Sequence, residues 1–135
     1  MPESKVLDSW ALLAWILDQE AAAHVGVFLE QAASANLDLM MSWINAGEVY
    51  YIVARRHGQE NAEEFLRRLP SLPIDLVLPD AVDVVAAAEL KSQRRLSYAD
   101  AFAAALAIRE GAALVTGDPE LRALSDVLTV DWIGG

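Results

Sequence analysis

Four acidic residues stand where strands give way to helices, the places at which an alternating chain brings side chains to one edge. Asp8 follows the apolar pair Val6-Leu7, Glu48 lies three residues after Asn45, Asp100 lies three residues after Ser97, and Asp118 follows the run Leu114-Val115-Thr116-Gly117. Each acid has a purely local reading. Asp8 and Asp118 suit helix N-caps, the latter with Pro119 in the favoured first helical position; Asn45 with Glu48 and Ser97 with Asp100 match the capping-box spacing. If the strands carrying them are neighbours, the four converge, and carboxylates sharing one cleft cannot all stay ionised without a cation. An all-oxygen donor set selects hard divalent ions such as Mg²⁺ or Mn²⁺. Such an ion lowers the pKa of a coordinated water and orients it as a nucleophile, with no side-chain base required.

Hydropathy periodicity supplies the elements that must position these acids. A short strand at Val6-Leu7 leads into a helical pattern through Leu12, Leu13, Ile16 and Leu17. The pattern then predicts a helix over 21–35, a strand over 37–41, a helix from Asn45 to near Gly58, and a shorter helix over 60–69 stopped by Pro70. A strand over 74–78, helices over 80–94 and 97–111, a strand over 113–115, a short helical turn from Pro119 and a last strand over 127–130 complete the chain. Strands separated by helices of crossover length imply a parallel sheet covered on both faces, a three-layer α/β/α arrangement. In such sheets the ligand site lies beyond the carboxyl ends of the strands. All four acids fall there. With 135 residues and no linker or repeat, one domain over 1–135 is expected.

The runs Val6-Leu7-Asp8-Ser9, Asn45-Ala46-Gly47-Glu48, Leu96-Ser97-Tyr98-Ala99-Asp100-Ala101-Phe102 and Leu114-Val115-Thr116-Gly117-Asp118 resemble the four acidic motifs of PIN-domain nucleases. Order, spacing and size are most similar to the VapC-type toxins of bacterial toxin-antitoxin pairs. One departure is Leu121, where many members carry an aromatic residue, a difference of packing rather than chemistry. The resemblance implies a five-stranded parallel sheet in the order 3-2-1-4-5, which sets the first strand between the second and fourth. It also implies Mg²⁺ or Mn²⁺, an RNA substrate cut to 5′-phosphate and 3′-hydroxyl ends, homodimers and a cognate antitoxin. On this reading Asp8, Asp100 and Asp118, with Glu48 direct or through water, hold the metal and form the catalytic set. Ser9, Asn45 and Thr116 are candidates to orient a carboxylate or a water, although local backbone hydrogen bonds and, for Asn45, helix capping are commoner roles.

Composition narrows the remaining classes. Hydrophobic residues make up 55% and charged residues 22%, which disfavours disorder, and the apolar runs are too short for a bilayer. Without cysteine there is neither a disulfide framework nor thiolate chemistry, and with no signal-like start a cytoplasmic address is expected. A net charge of −10 repels polyanions, so any nucleic-acid role must rest on a local site, and the positions of the arginines matter. Arg94 and Arg95, one short loop before Asp100, and Arg55 and Arg56, about 11 Å beyond Glu48 along its helix, are the candidates. Trp10, Trp15, Trp43, Tyr50 and Tyr51 suit a base-stacking platform or, more commonly, a core or a dimer face. Two other functions fit a parallel sheet: a non-catalytic PIN-like interaction module, and a phosphoacceptor using Asp8, Asp80 and Thr116. The second lacks a lysine after the last strand, where Asp131 stands.

Overall fold

Side-chain alternation along the strands sets the layers. In the computed structural model, which describes residues 2–135, the elements are β1 (Glu3–Leu7), α1 (Ser9–Ile16), α2 (Ala22–Ala33), β2 (Leu37–Ser42), α3 (Trp43–His57), α4 (Gln59–Arg68) and a 3-10 turn at Leu69–Ser71. There follow β3 (Asp75–Val77), α5 (Ala81–Gln93), α6 (Tyr98–Glu110), β4 (Ala113–Thr116), α7 (Pro119–Arg122) and β5 (Val130–Trp132). Leu7, Leu39, Met41 and Val115 point into one core, shared with α1 to α4. Their chain neighbours Val6, Met40 and Leu114 point into the other, under α5 and α6. This two-residue period is what a strand buried on both faces must show. The α6 helix is buried along most of its length and rich in alanine, which lets it lie close against the sheet.

All five strands are parallel, in the order β3-β2-β1-β4-β5. The three-layer α/β/α architecture and strand order implied by the resemblance are therefore present. The order excludes a phosphoacceptor sheet of the 2-1-3-4-5 type, since β3 lies at the edge, two strands from Asp8. Asp80 is spent on the N-terminus of α5, where it and Asp83 form a reciprocal capping box. Among the described residues no helix is long and apolar enough to cross a membrane.

Two boundaries depart from expectation. The α3 helix begins at Trp43 rather than Asn45, because the Ser42 side chain accepts from the Ile44 amide and starts the helix two residues early. The last strand is Val130–Trp132, not 127–130. Val127 and Leu128 instead donate their backbone N–H groups back to Leu124, closing a turn, and pairing with β4 begins beyond them.

Candidate active site

Asp8 forms the floor of the site. It follows β1 in the centre of the sheet and caps α1, its Oδ1 accepting from the Ala11 amide at 2.8 Å. Its Oδ2 accepts from the Thr116 hydroxyl at the end of β4. That hydroxyl in turn accepts from the Asp118 amide at 2.9 Å, so Thr116 fixes the two aspartates relative to each other. Asp8 is wholly buried. Burial pushes its carboxyl up to about 7, against the pull of the Thr116 and Ala11 hydrogen bonds, and Asp118 and Glu48 add like-charge repulsion.

Above the floor, Asp100 and Asp118 come together at the N-termini of α6 and α7. With Glu120 they place carboxylate oxygens within 4.8 Å of one another. Asp118 caps α7 with one oxygen, taking the Glu120 amide at 3.0 Å. Asp100 is nearly buried at 6% exposure. Desolvation raises its carboxyl pKa first, then a hydrogen bond and repulsion from Asp118, with Asp8 and Glu48 adding to the repulsion. Ser97 caps α6 by accepting from the Asp100 amide at 3.1 Å, but no return bond from the Asp100 carboxylate forms. The reciprocal box at α5 marks the contrast: there the acid is used by the cap, whereas at α6 it is left for the cleft.

Glu48 enters from α3, on the wall of the same cavity of about 400 Å³ that Asp100, Asp118 and Glu120 line. Its Oε2 accepts from the Tyr51 hydroxyl at 3.3 Å. Since the helix starts at Ser42, Glu48 takes no part in a cap with Asn45. Asn45 is not a cap either. Fully buried, it donates from Nδ2 to the Ser9 hydroxyl and to the Ala99 carbonyl, both at 3.1 Å, while Ser9 donates to the Asn45 carbonyl at 3.3 Å. One side chain thus ties the residue after Asp8 and the residue before Asp100 to α3. The Ala99 carbonyl, which can only accept, fixes the amide's orientation and leaves Oδ1 a buried acceptor without a protein partner.

The cations divide differently from expectation. Arg94 makes a two-pronged ion pair with Asp126, at 3.0 and 2.7 Å, and neither it nor Arg95 lines the acidic cavity. Arg56 does line it. Arg55 lies over the Tyr51 ring, 5.1 Å from its centroid, on the side of Glu48. Glu120, which sequence reasoning passed over, carried only a weak signal: an acid in the first turn after Pro119 reads as a helix-dipole complement.

Among solved structures, the chain is similar to VapBC2 of Rickettsia felis bound to a promoter DNA fragment, at 20% identity over 96% of this chain and 98% of that one, with a TM-score of 0.74. It is also similar to VapC20 of Mycobacterium tuberculosis, a sarcin-ricin loop cleaving toxin, at 18% identity over 88% and 93% of the two chains and a TM-score of 0.72. VapBC-1 of nontypeable Haemophilus influenzae matches at 18% identity over 98% and 99%, with a TM-score of 0.69. No curated protein matches by sequence. A family model, that of the PIN domain, matches residues 5–127, nearly the whole chain, and the protein therefore belongs to the PIN-domain family.

Proposed function

We propose that this protein is a divalent-metal-dependent endoribonuclease, acting in the cytoplasm as the toxin of a toxin-antitoxin pair. The observation that carries the reading is the meeting of Asp100, Asp118 and Glu120 oxygens above the buried Asp8. Burial, and after it repulsion among the acids, raises the proton affinity of Asp8 and Asp100, and a cation in the cluster would relieve that repulsion. The donor set is oxygen throughout, the kind that suits Mg²⁺ and Mn²⁺. Asp100, Asp118 and Glu120 would hold the ion, with Glu48 on the α3 wall. Asp8 would add its charge from below, each of its oxygens retaining a lone pair after its internal bond. The ion would supply Lewis acidity to the phosphodiester and to the attacking water. Thr116 and Asn45 position the carboxylates, and Arg56 offers a charge to a phosphate at the cavity edge.

The toxin reading is supported by the similarity to VapBC assemblies and to a loop-cleaving toxin. An antitoxin would fit a second groove, of about 270 Å³, where the half-buried Trp15, Ile16, Leu17 and Leu72 offer apolar walls to an apolar helix over the buried Val53 and Phe65. A basic side chain from the same partner would satisfy the carboxylates. Homodimers would form on the apolar face around α5, where Leu78, Val82 and Val85 are 77%, 72% and 56% exposed. The test is cleavage of single-stranded RNA by the purified chain with Mg²⁺ or Mn²⁺. Activity should vanish in excess EDTA and in Asp100→Asn and Asp118→Asn; full activity in either setting refutes the mechanism.

A further inference from the structure

A second cavity adjoins the acidic one, and a tryptophan stands between them. Trp10 and Gln19 line both the acidic cavity and a neighbouring space of about 420 Å³, whose other walls include His24, Trp132 and Ile133. That volume falls within the roughly 300–1,000 Å³ of small-molecule sites. Both indoles rest on bare backbone. A Cβ at position 117 would overlap the Trp10 ring, so the glycine between Thr116 and Asp118 is what allows the indole to lie beside Asp118. A Cβ at position 134 would come within 2.5 Å of the Trp132 ring and 2.9 Å of the Gly117 Cα, so a second glycine closes the same layer. Arg122 covers Trp132, 4.5 Å from its ring centre.

We propose that this second cavity is a nucleobase subsite, in which an unpaired base of single-stranded RNA next to the scissile phosphate stacks on Trp10. Trp132 forms the far wall, and Gln19 and His24 face the base edge with hydrogen-bonding groups. The inference rests on the nuclease reading above and deepens it. Charge supports it: the chain carries −10, and Lys5, Arg67, Arg94 and Arg109 are already held in ion pairs. On a chain of that net charge, affinity for a polyanion gains from contacts that do not depend on charge. Stacking is one, and it tolerates any base because every base has a π-face. It also requires a single strand, since a paired base cannot leave its stack without cost.

The test uses a uridine hexamer carrying 2-aminopurine at each position in turn, bound to the whole protein in EDTA so that no cleavage occurs. Fluorescence should be quenched at one position, and an abasic residue at that position should weaken binding. Base-aromatic stacking of about 1–3 kcal/mol corresponds to a loss of roughly five- to 150-fold. Trp10→Leu should show the same loss, and the abasic oligomer should then bind it no more weakly than the intact one does. Should Trp10→Leu fail to fold, the abasic series on the unaltered protein and the exposed-site double variant Gln19→Ala with His24→Ala carry the test, the latter by reduced quenching at that position. Uniform fluorescence along the hexamer, in a protein that cleaves RNA with Mn²⁺, overturns the subsite and leaves the nuclease reading in place. Absence of both binding and metal-dependent cleavage overturns the two together.

Discussion

Raising the pH should destabilise the metal-free protein, and Asp8→Asn should abolish much of that loss. Burial lifts the Asp8 carboxyl from an ordinary 3.8 to about 7, and the group is wholly inaccessible to solvent, so no surface screening reduces the effect. A carboxyl with its folded pKa above its unfolded one binds its proton more tightly in the folded state. Below about pH 4 both states are protonated and the group is neutral towards stability. Between about pH 4 and 7 the unfolded chain releases the proton while the folded chain keeps it, so stability falls as pH rises; above about pH 7 both are ionised and the loss is complete. A window of about three pH units corresponds to about 4 kcal/mol at 1.36 kcal/mol per unit. With a urea m-value of about 1.5 kcal/mol/M, the midpoint would move by more than about 2 M. Asp100 acts in the same direction, and because the two share neighbours their effects do not add. Asn keeps the cap on Ala11, since its carbonyl accepts as the carboxylate does. Urea melts in EDTA at pH 5 and pH 8.5 measure the difference. The parent should lose stability at pH 8.5 and Asp8→Asn should lose distinctly less. Adding Mn²⁺ at one hundred times its Kd should return about 2.7 kcal/mol to the parent and little to the variant. Equal pH responses of parent and variant in EDTA would refute the claim that a buried, repelled Asp8 governs the metal-free state.

Three further outcomes follow from the side chains around the site. Arg56→Ala should reduce the slope of log affinity for single-stranded RNA against log salt by roughly one contact's worth, about 0.7, whereas Arg94→Ala should leave it unchanged because Arg94 is paired with Asp126. Asn45→Ala should destabilise the fold by about 2 kcal/mol, since it leaves the half-buried Ala99 carbonyl and the buried Ser9 hydroxyl without the Asn45 donor; a calorimetric melt within error of the parent would contradict the brace. Val82→Glu with Val85→Glu should shift sedimentation towards the monomer, and an unchanged mass would place any dimer face elsewhere.

Strand and helix identities were legible because burial on both faces of a parallel sheet leaves short apolar runs, and turns separate them. The edges were not. Val127 and Leu128 are as apolar as a strand, yet their N–H groups close a turn onto Leu124, a choice made by the geometry of β4 and β5. Ser42 falls between the strand expected over 37–41 and the helix expected from Asn45, and its hydroxyl starts α3. That displacement hid the work of Asn45, whose partners lie 36 and 54 residues away and have no local signature. Arg94 looked available for the same reason, since its partner Asp126 lies 32 residues on.

The competition between capping and chemistry, which the sequence leaves open at every acid, is resolved differently at each position. At α5 the cap consumes both acids, for Asp80 and Asp83 bond reciprocally to each other's amides. At α6 Ser97 takes the capping bond, and the Asp100 carboxylate one turn in is directed at Asp118. Asp8 and Asp118 do cap their helices, each with one oxygen. A carboxylate held through one oxygen by a helix N-terminus cannot rotate freely, so the same bond that starts the helix fixes where the second oxygen points. For Asp8 that oxygen meets Thr116, and through Thr116 the amide of Asp118. Capping and clustering are thus one arrangement: the helix N-termini at the carboxyl edge of the sheet orient the acids whose repulsion a cation would relieve.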